Sequence, residues 1–255
     1  MSPVLDPVMG DSGKLYVSED VVPIYKALVP HADLITPNQF EAEFVLYVLH
    51  TQYTFKADKW LRLLCGIKVQ SLASLSHVID TLHSVYHVPH VVVTSVTFSK
   101  DSFNSNSSSD VMICAGSTLT STCSSRKFIL PIQVIPGDFS GTGDMFAALT
   151  LARLRDEAEL AGLLGTTSWI SPDNVPPTEL PLAKALENVL GSMRGILERT
   201  RAVRDKKLAS MDLGKDTNVR TVKASELQLV KGQRDLLYPG NDYKALPFDV
   251  SDVAN

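Results

Sequence analysis

Cysteine is scarce in this sequence: Cys65, Cys114 and Cys123 are three in 255 residues, an odd number without C-x-x-C spacing. That excludes a disulfide framework and a zinc site built from cysteine pairs, and it predicts a reduced, cytoplasmic setting. No apolar run approaches the length of a membrane span. The opening residues, Met1-Ser2-Pro3-Val4-Leu5-Asp6-Pro7, lack the basic and apolar regions of a secretory signal, so none is expected. Positive charge is also short, with 24 Lys and Arg against 28 Asp and Glu and a formal net charge of -4. Bulk electrostatic binding of nucleic acid or anionic membrane is therefore not expected. Internal repeats are absent as well.

What the sequence does have is hydrophobic residues at 44%, enough for a sizeable core, and a glycine-flanked stretch at Ser140-Gly141-Thr142-Gly143-Asp144-Met145-Phe146-Ala147-Ala148. Upstream, Phe128 to Ile135 reads as an apolar strand that Pro131 demotes towards an edge or a bulge. Downstream, Met145, Leu149, Ala152 and Leu154 follow helical spacing. Glycines on both sides of Thr142 let backbone N–H groups approach a ligand at a helix N-terminus, which suits phosphate. An aspartate there would repel phosphate, so Asp144 needs another task, and deprotonating an attacking hydroxyl fits. Taken alone, the same residues equally suit a plain glycine turn before a core helix.

Other stretches end short strands with polar groups. Val4 to Asp11 is a short apolar strand running into a Pro/Gly turn with Asp6 and Asp11, placed as in open α/β sheets that bind ligands and suited to a hydrated Mg²⁺. An Asp-Pro turn with a solvated Asp is the plainer reading. Ala32 to Thr36 is followed by Pro37-Asn38-Gln39-Phe40-Glu41, where Asn38 and Glu41 have capping-box spacing and could also hold a phosphate and a metal. Val91-Val92-Val93-Thr94-Ser95 is a buried-strand pattern ending in two hydroxyls. Helices are predicted from Ser18, with Val21, Ile24, Tyr25 and Leu28 as its apolar stripe, and over Leu75 to Val88 through Val78, Ile79, Leu82 and Val85. His83 and His87 on that second helix read as a solvated face. A long helix carries Leu182, Leu186, Val189, Leu190, Met193, Ile196 and Leu197 on one side, with a basic tail from Arg194 to Lys207 read as solvated. Ser225-Glu226-Leu227-Gln228 predicts a capping box for a terminal helix. Strands alternate with helices and then turn hairpin-like, so the fold class is α/β with an antiparallel edge.

In order, Asp6-Pro7-Val8-Met9-Gly10-Asp11, Thr36-Pro37-Asn38-Gln39-Phe40-Glu41-Ala42-Glu43, Val93-Thr94-Ser95 and Gly141-Thr142-Gly143-Asp144 resemble the motifs of the pyridoxal kinase family. The resemblance covers the C-terminal two thirds of that family's pattern, including Glu226 to Val230 and Arg234-Asp235. It implies a ribokinase-like three-layer α/β/α sandwich with a mostly parallel central sheet, truncated at the N-terminus. One domain over 1–255 is expected, with an insertion at 44–62, a loop insertion at 163–180 and an unpaired sheet edge at Val4-Leu5.

The activity it implies is ATP-dependent phosphorylation of the 5′-hydroxymethyl group of pyridoxal, pyridoxine or pyridoxamine. Asp144 would be the general base facing the substrate, and Gly141, Thr142 and Gly143 the anion hole. Asn38, Glu41, Thr94 and Ser95 would meet ATP, with Ile135, Pro136 and Gly137 on the adenine side. Asp6, Asp11 and Glu41 would organise Mg²⁺, or Zn²⁺ in its place, and Thr36 and Thr94 a monovalent cation, K⁺ or Na⁺. A homodimer is implied. Hydroxymethylpyrimidine phosphate kinases share the Asp-Pro-Val-Met stretch but typically have Cys at the Asp144 position, which favours the pyridoxal branch. The alternative expectation is a catalytically impaired fragment serving as a nucleotide-binding or interaction protein.

Overall fold

The computed structural model describes residues 3–47, 67–98, 111–209 and 217–249. Two-residue periodicity in its strands sets the architecture. The strands are β1 (Val4–Leu5), β2 (Gly10–Asp11), β3 (Lys14–Leu15), β4 (Leu34–Ile35), β5 (His90–Phe98), β6 (Val111–Leu119), β7 (Ser125–Ile132) and β8 (Leu246–Pro247). Ile35, Val91, Val93, Ile113, Ala115 and Ile129 face one apolar layer. Leu34, Val92, Cys114, Phe128 and Leu130 face the other. Neighbours in sequence therefore feed opposite cores, as a sheet covered on both sides requires.

The first layer holds α1 (Val22–Leu28), α2 (Gln39–Tyr47) and α3 (Leu72–Tyr86), and the second holds α4 (Thr142–Leu160) and α5 (Pro181–Ala209). The result is the expected α/β/α sandwich. Helices α6 (Thr217–Ala224) and α7 (Gln233–Leu237) follow, and α7 packs on α5. The six-stranded sheet has the order β1-β4-β5-β6-β7-β8, and β2 pairs with β3 in a separate hairpin. β1, β4 and β5 are mutually parallel, and the next three pairings are antiparallel, so β7 points the same way as β5. Most strands thus share one direction. Pro131 lies beyond the reach of β8, which meets β7 only at Phe128 and Ile129, so its missing N–H costs no ladder bond there.

Several local expectations shift. The helix from Ser18 begins as a 3₁₀ turn, Ser18 makes no side-chain cap, and burial falls on Val22 and Val29, while Ile24 is 59% exposed. Tyr25 packs against the core as predicted, and the ends of the stripe move one position on, to Val22 and Val29. In α3, capped by Ser71, Tyr86 and His83 are buried and Val85 is 42% exposed. His83 is not solvated: its Nδ1–H donates to Val88 O at 2.7 Å and its Nε2 accepts from Ser117 Oγ at 2.8 Å. Ser225 caps no following helix. It closes α6 instead, with its N–H and hydroxyl on Thr221 O. Segment 163–180 buries Leu163, Trp169 and Leu180 in the second core, so it is packed rather than loop-like. Of the 44–62 expectation, residues 48–62 lie outside the described residues.

Candidate active site

The site forms where β1 and β4 end beside the middle of β5, so the residues just past the first two strands lie next to an irregularity within the third. Asp6 follows β1 and Thr36 follows β4. β5 does not end at Thr94 and Ser95 as its pattern suggested but runs on to Phe98; its register shifts between Val93 and Val96, and at this bulge Thr94 and Ser95 line the cavity, with Thr94 N–H on Pro37 O at 2.9 Å. β7 runs the same way and leads through residues 133–140 to α4. There Gly141 takes the N-cap in a left-handed conformation (φ 85), which disfavours any side chain bearing a Cβ. No side chain caps α4, so the N–H groups of its first turn remain available at the positive end of a 19-residue helix.

These elements surround a cavity of about 500 Å³. Asp6, Asp11, Thr36, Asn38, Glu41, Thr94, Ser95, Ile135, Gly141, Thr142, Gly143 and Asp144, predicted from sequence, all line it. Pro136 and Gly137 do not. They lie under the Arg204 guanidinium, whose Nη2 donates to Pro136 O at 3.4 Å.

Its two ends differ in chemistry. At the acidic end, a Cβ on Gly143 would stand 3.5 Å from Asp6 Oδ2, so the Asp6 carboxylate overlies the first turn of α4. Thr36 Oγ1 donates to Asp6 Oδ1 at 3.3 Å. Burial raises the Asp6 pKa, the Thr36 bond opposes that, and the charge of Asp144 adds to it. Glu41 is committed to structure: its carboxylate accepts N–H bonds from Met9, Gly10 and Asn38 at 2.8, 3.3 and 3.0 Å. Asn38 Oδ1 in turn accepts from Glu41 N, completing the capping box, and Asn38 Nδ2 holds Gly10 O at 2.8 Å. Burial raises the Glu41 pKa despite these donors. Among the described residues no group of three or more His, Cys, Asp or Glu side chains is gathered to hold a metal.

The other end is apolar, formed by Met112, Ile132, Ile135, Leu190, Met193 and Leu197. Arg194 is the one basic side chain among the described lining residues, and Glu198 and Asp242 both engage it. Sequence reasoning had set Arg194 in a solvated tail and missed Tyr243, which reaches the cavity from the C-terminal segment. Only helical phase, with Arg194 one turn beyond Leu190, hinted at the first; nothing local marked the second.

Comparison with known proteins agrees with this geometry. Residues 1–164 match the phosphomethylpyrimidine kinase family model. A Schizosaccharomyces pombe relative is 32% identical over 197 residues, 77% of this chain and 51% of its own length. The pyridoxal kinase of Arabidopsis thaliana is 30% identical over 244 residues, covering 95% of this chain and 60% of its own. The chain thus spans half to three fifths of the length of these curated relatives. Among solved structures, the Leishmania donovani pyridoxal kinase in complex with ADP and pyridoxine matches with a TM-score of 0.62 at 23% identity, over 96% of this chain and 61% of that one. At that identity the likeness shows the fold alone. With more than half of its residues matched to the family model, the chain belongs to the phosphomethylpyrimidine kinase family, and the named relative places it beside the pyridoxal kinases.

Proposed function

We propose that this chain transfers the γ-phosphoryl group of ATP to the 5′-hydroxymethyl group of pyridoxal or a related B6 vitamer. The observation that carries the proposal is the convergence, in one cavity, of the uncapped α4 N-terminus with the polar ends of β1 and β4 and the hydroxyls at the β5 bulge. Phosphoryl transfer asks mainly for positioning and charge stabilisation. The N–H groups of Thr142, Gly143 and Asp144 supply fixed donors where negative charge grows on the transferring group. Asp144 stands in the same turn, exposed to the cavity, and accepts the proton of the attacking hydroxyl. The apolar end takes the nucleobase beside Ile135, while Asn38, Thr94 and Ser95 face the phosphates.

The donor set suits a divalent cation. The charges of Asp6 and Asp144 act on each other with no basic side chain between them among the described residues, and Mg²⁺ needs only one or two carboxylates besides phosphate oxygens and water. Asp6 is the ligand we assign, with Asp11 and Glu41 acting through water, and Zn²⁺ as the substitute metal. When bound, the ion neutralises phosphate charge. Thr36 and Thr94 are the residues we assign to a monovalent cation. The chain works as one domain in the cytoplasm, with 44–62 and 163–180 as insertions outside the chemistry, and as a homodimer.

Coupled ATP turnover with pyridoxal and Mg²⁺ tests the reading. Asp144→Asn is expected to lose on the order of 10² or more in rate while still binding ATP. Equal turnover by the variant and wild type would contradict the base assignment, and ATP binding without turnover by wild type would favour the impaired-fragment alternative.

A further inference from the structure

The connector between β7 and α4, residues 133–140, bears both the apolar wall at Ile135 and the anion-binding turn that follows, yet it is largely exposed and has no regular structure of its own. Its geometry is imposed from elsewhere. At its start, the Gln133 backbone hydrogen-bonds the buried Tyr243. At its end, Ser140 bridges to Glu226, and Leu227 lies against Gly141. That bridge is itself anchored to α5, because Thr200 Oγ1 accepts from Gln228 N at 3.1 Å.

One helical turn beyond Thr200, on the same face of α5, Arg204 holds the middle of the connector. Its guanidinium lies 5.4 Å from the centre of the Phe139 ring, its Nη2 donates to Pro136 O, and its Nε and Nη2 pair with Asp205 at 3.2 and 3.1 Å. Gly137 has a positive φ of 130, and a Cβ there would fall 1.8 Å from Arg204 Nη1, so the backbone packs directly on the guanidinium. Stacking on an aromatic face while donating in the plane is what a guanidinium does and an ammonium does not.

We infer that Arg204 is a positioning residue for the nucleotide, fixing residues 136–139 so that Ile135 and the Gly141 turn stand in register around ATP. The inference rests on the kinase reading above. Arg204 touches no reacting group and does not line the cavity, so its effect passes through the connector alone. Loss of the clamp loosens the wall and the donors together, which raises the KM for ATP and leaves that for pyridoxal unchanged.

The test compares wild type, Arg204→Ala and Arg204→Lys by three measurements: amide hydrogen exchange, calorimetric binding of a non-hydrolysable ATP analogue, and steady-state kinetics. Arg204→Ala is expected to speed exchange selectively over residues 133–141 and to raise the ATP KM about tenfold with pyridoxal KM within about twofold. Arg204→Lys keeps the charge but not the planar clamp, and should recover less than half of the analogue affinity. Exchange unchanged at 133–141, exchange raised equally throughout the molecule, or parallel losses for both substrates would overturn the assignment. If wild type turns over no pyridoxal, the kinase reading fails, while exchange and analogue binding still decide the role of Arg204.

Discussion

The two ends of the central sheet carry similar polar residues and use them in opposite ways. At the end away from the cavity, the named side chains bond to partners inside the protein, the buried Arg126 Nε alone among their polar atoms being without one. Asp33 accepts from Ser168 Oγ at 2.6 Å, buried His90 donates from Nε2 to Ser168 O at 2.7 Å, and its Nδ1 accepts from Thr118 Oγ1 at 2.9 Å. Buried Arg126 spreads its Nη donors over the carbonyls of Pro172, Val175, Leu119 and Ser171. These bonds hold segment 163–180, in which Ser168 and Trp169 adopt left-handed conformations that cost of order 1–3 kcal/mol each. At the cavity end, the first turn of α4 has no cap and Asp144 faces the cavity. The difference teaches that a cluster of acids, hydroxyls and histidine is structural when its groups satisfy one another, and functional where they are left open to a cavity.

The sharpest way to break this contrast is a pair of substitutions, one at each end. Asp144→Asn should remove about 10² or more of the turnover with little change in Tm, because no hydrogen bond or ion pair among the described residues depends on the charge. Thermal melting beside the kinetic assay checks it, and a large fall in Tm would place Asp144 with the structural groups. Arg126→Ala should do the reverse. It strands several buried carbonyls at about 1–3 kcal/mol of unmet hydrogen bonding and lowers Tm, while turnover per folded molecule stays near wild type.

Glu41 tests the boundary, since it lines the cavity and yet accepts three backbone N–H bonds. Glu41→Gln retains one acceptor oxygen and should cost about 1–2 kcal/mol in denaturant unfolding, together with activity, because the loop carrying Asp6 loses its anchor. Unchanged stability would move Glu41 to the open class.

The smallest effect concerns pH. Burial first, and then the charge of Asp144, hold the folded pKa of Asp6 above its ordinary 3.8. The folded chain therefore binds that proton more tightly than the unfolded chain. The stability contribution is full below the ordinary pKa and is lost as pH rises through the raised one. Asp6→Asn should flatten this slope, measured as Tm against pH from the acid side to neutrality, and an identical slope in both proteins would contradict the assigned strain.

Much of this was readable in the sequence because it is local. Glycine spacing before an apolar helix, polar residues at strand ends and the Asn38–Glu41 box each depend on a few neighbours, and the structure brings those residues to one cavity. What was misread depended on distant partners. Ile24 and Val85 fit an apolar stripe by spacing, but the sheet takes Val22 and His83 instead, the latter because Ser117, remote in sequence, meets its ring. Ser225 has the spacing of a cap, yet the bridge between Ser140 and Glu226 turns the chain away from a helix. Tyr243 and Arg204 act through contacts spanning the length of the second layer, which no local pattern encodes.

The most direct test of the central claim is product analysis: the chain is incubated with ATP, Mg²⁺ and pyridoxal, and ADP and pyridoxal 5′-phosphate are quantified together. The account predicts the two in equal amounts from wild type and about 100-fold less or lower of both from Asp144→Asn in the same time. ADP without pyridoxal 5′-phosphate, or equal product from both proteins, would contradict it.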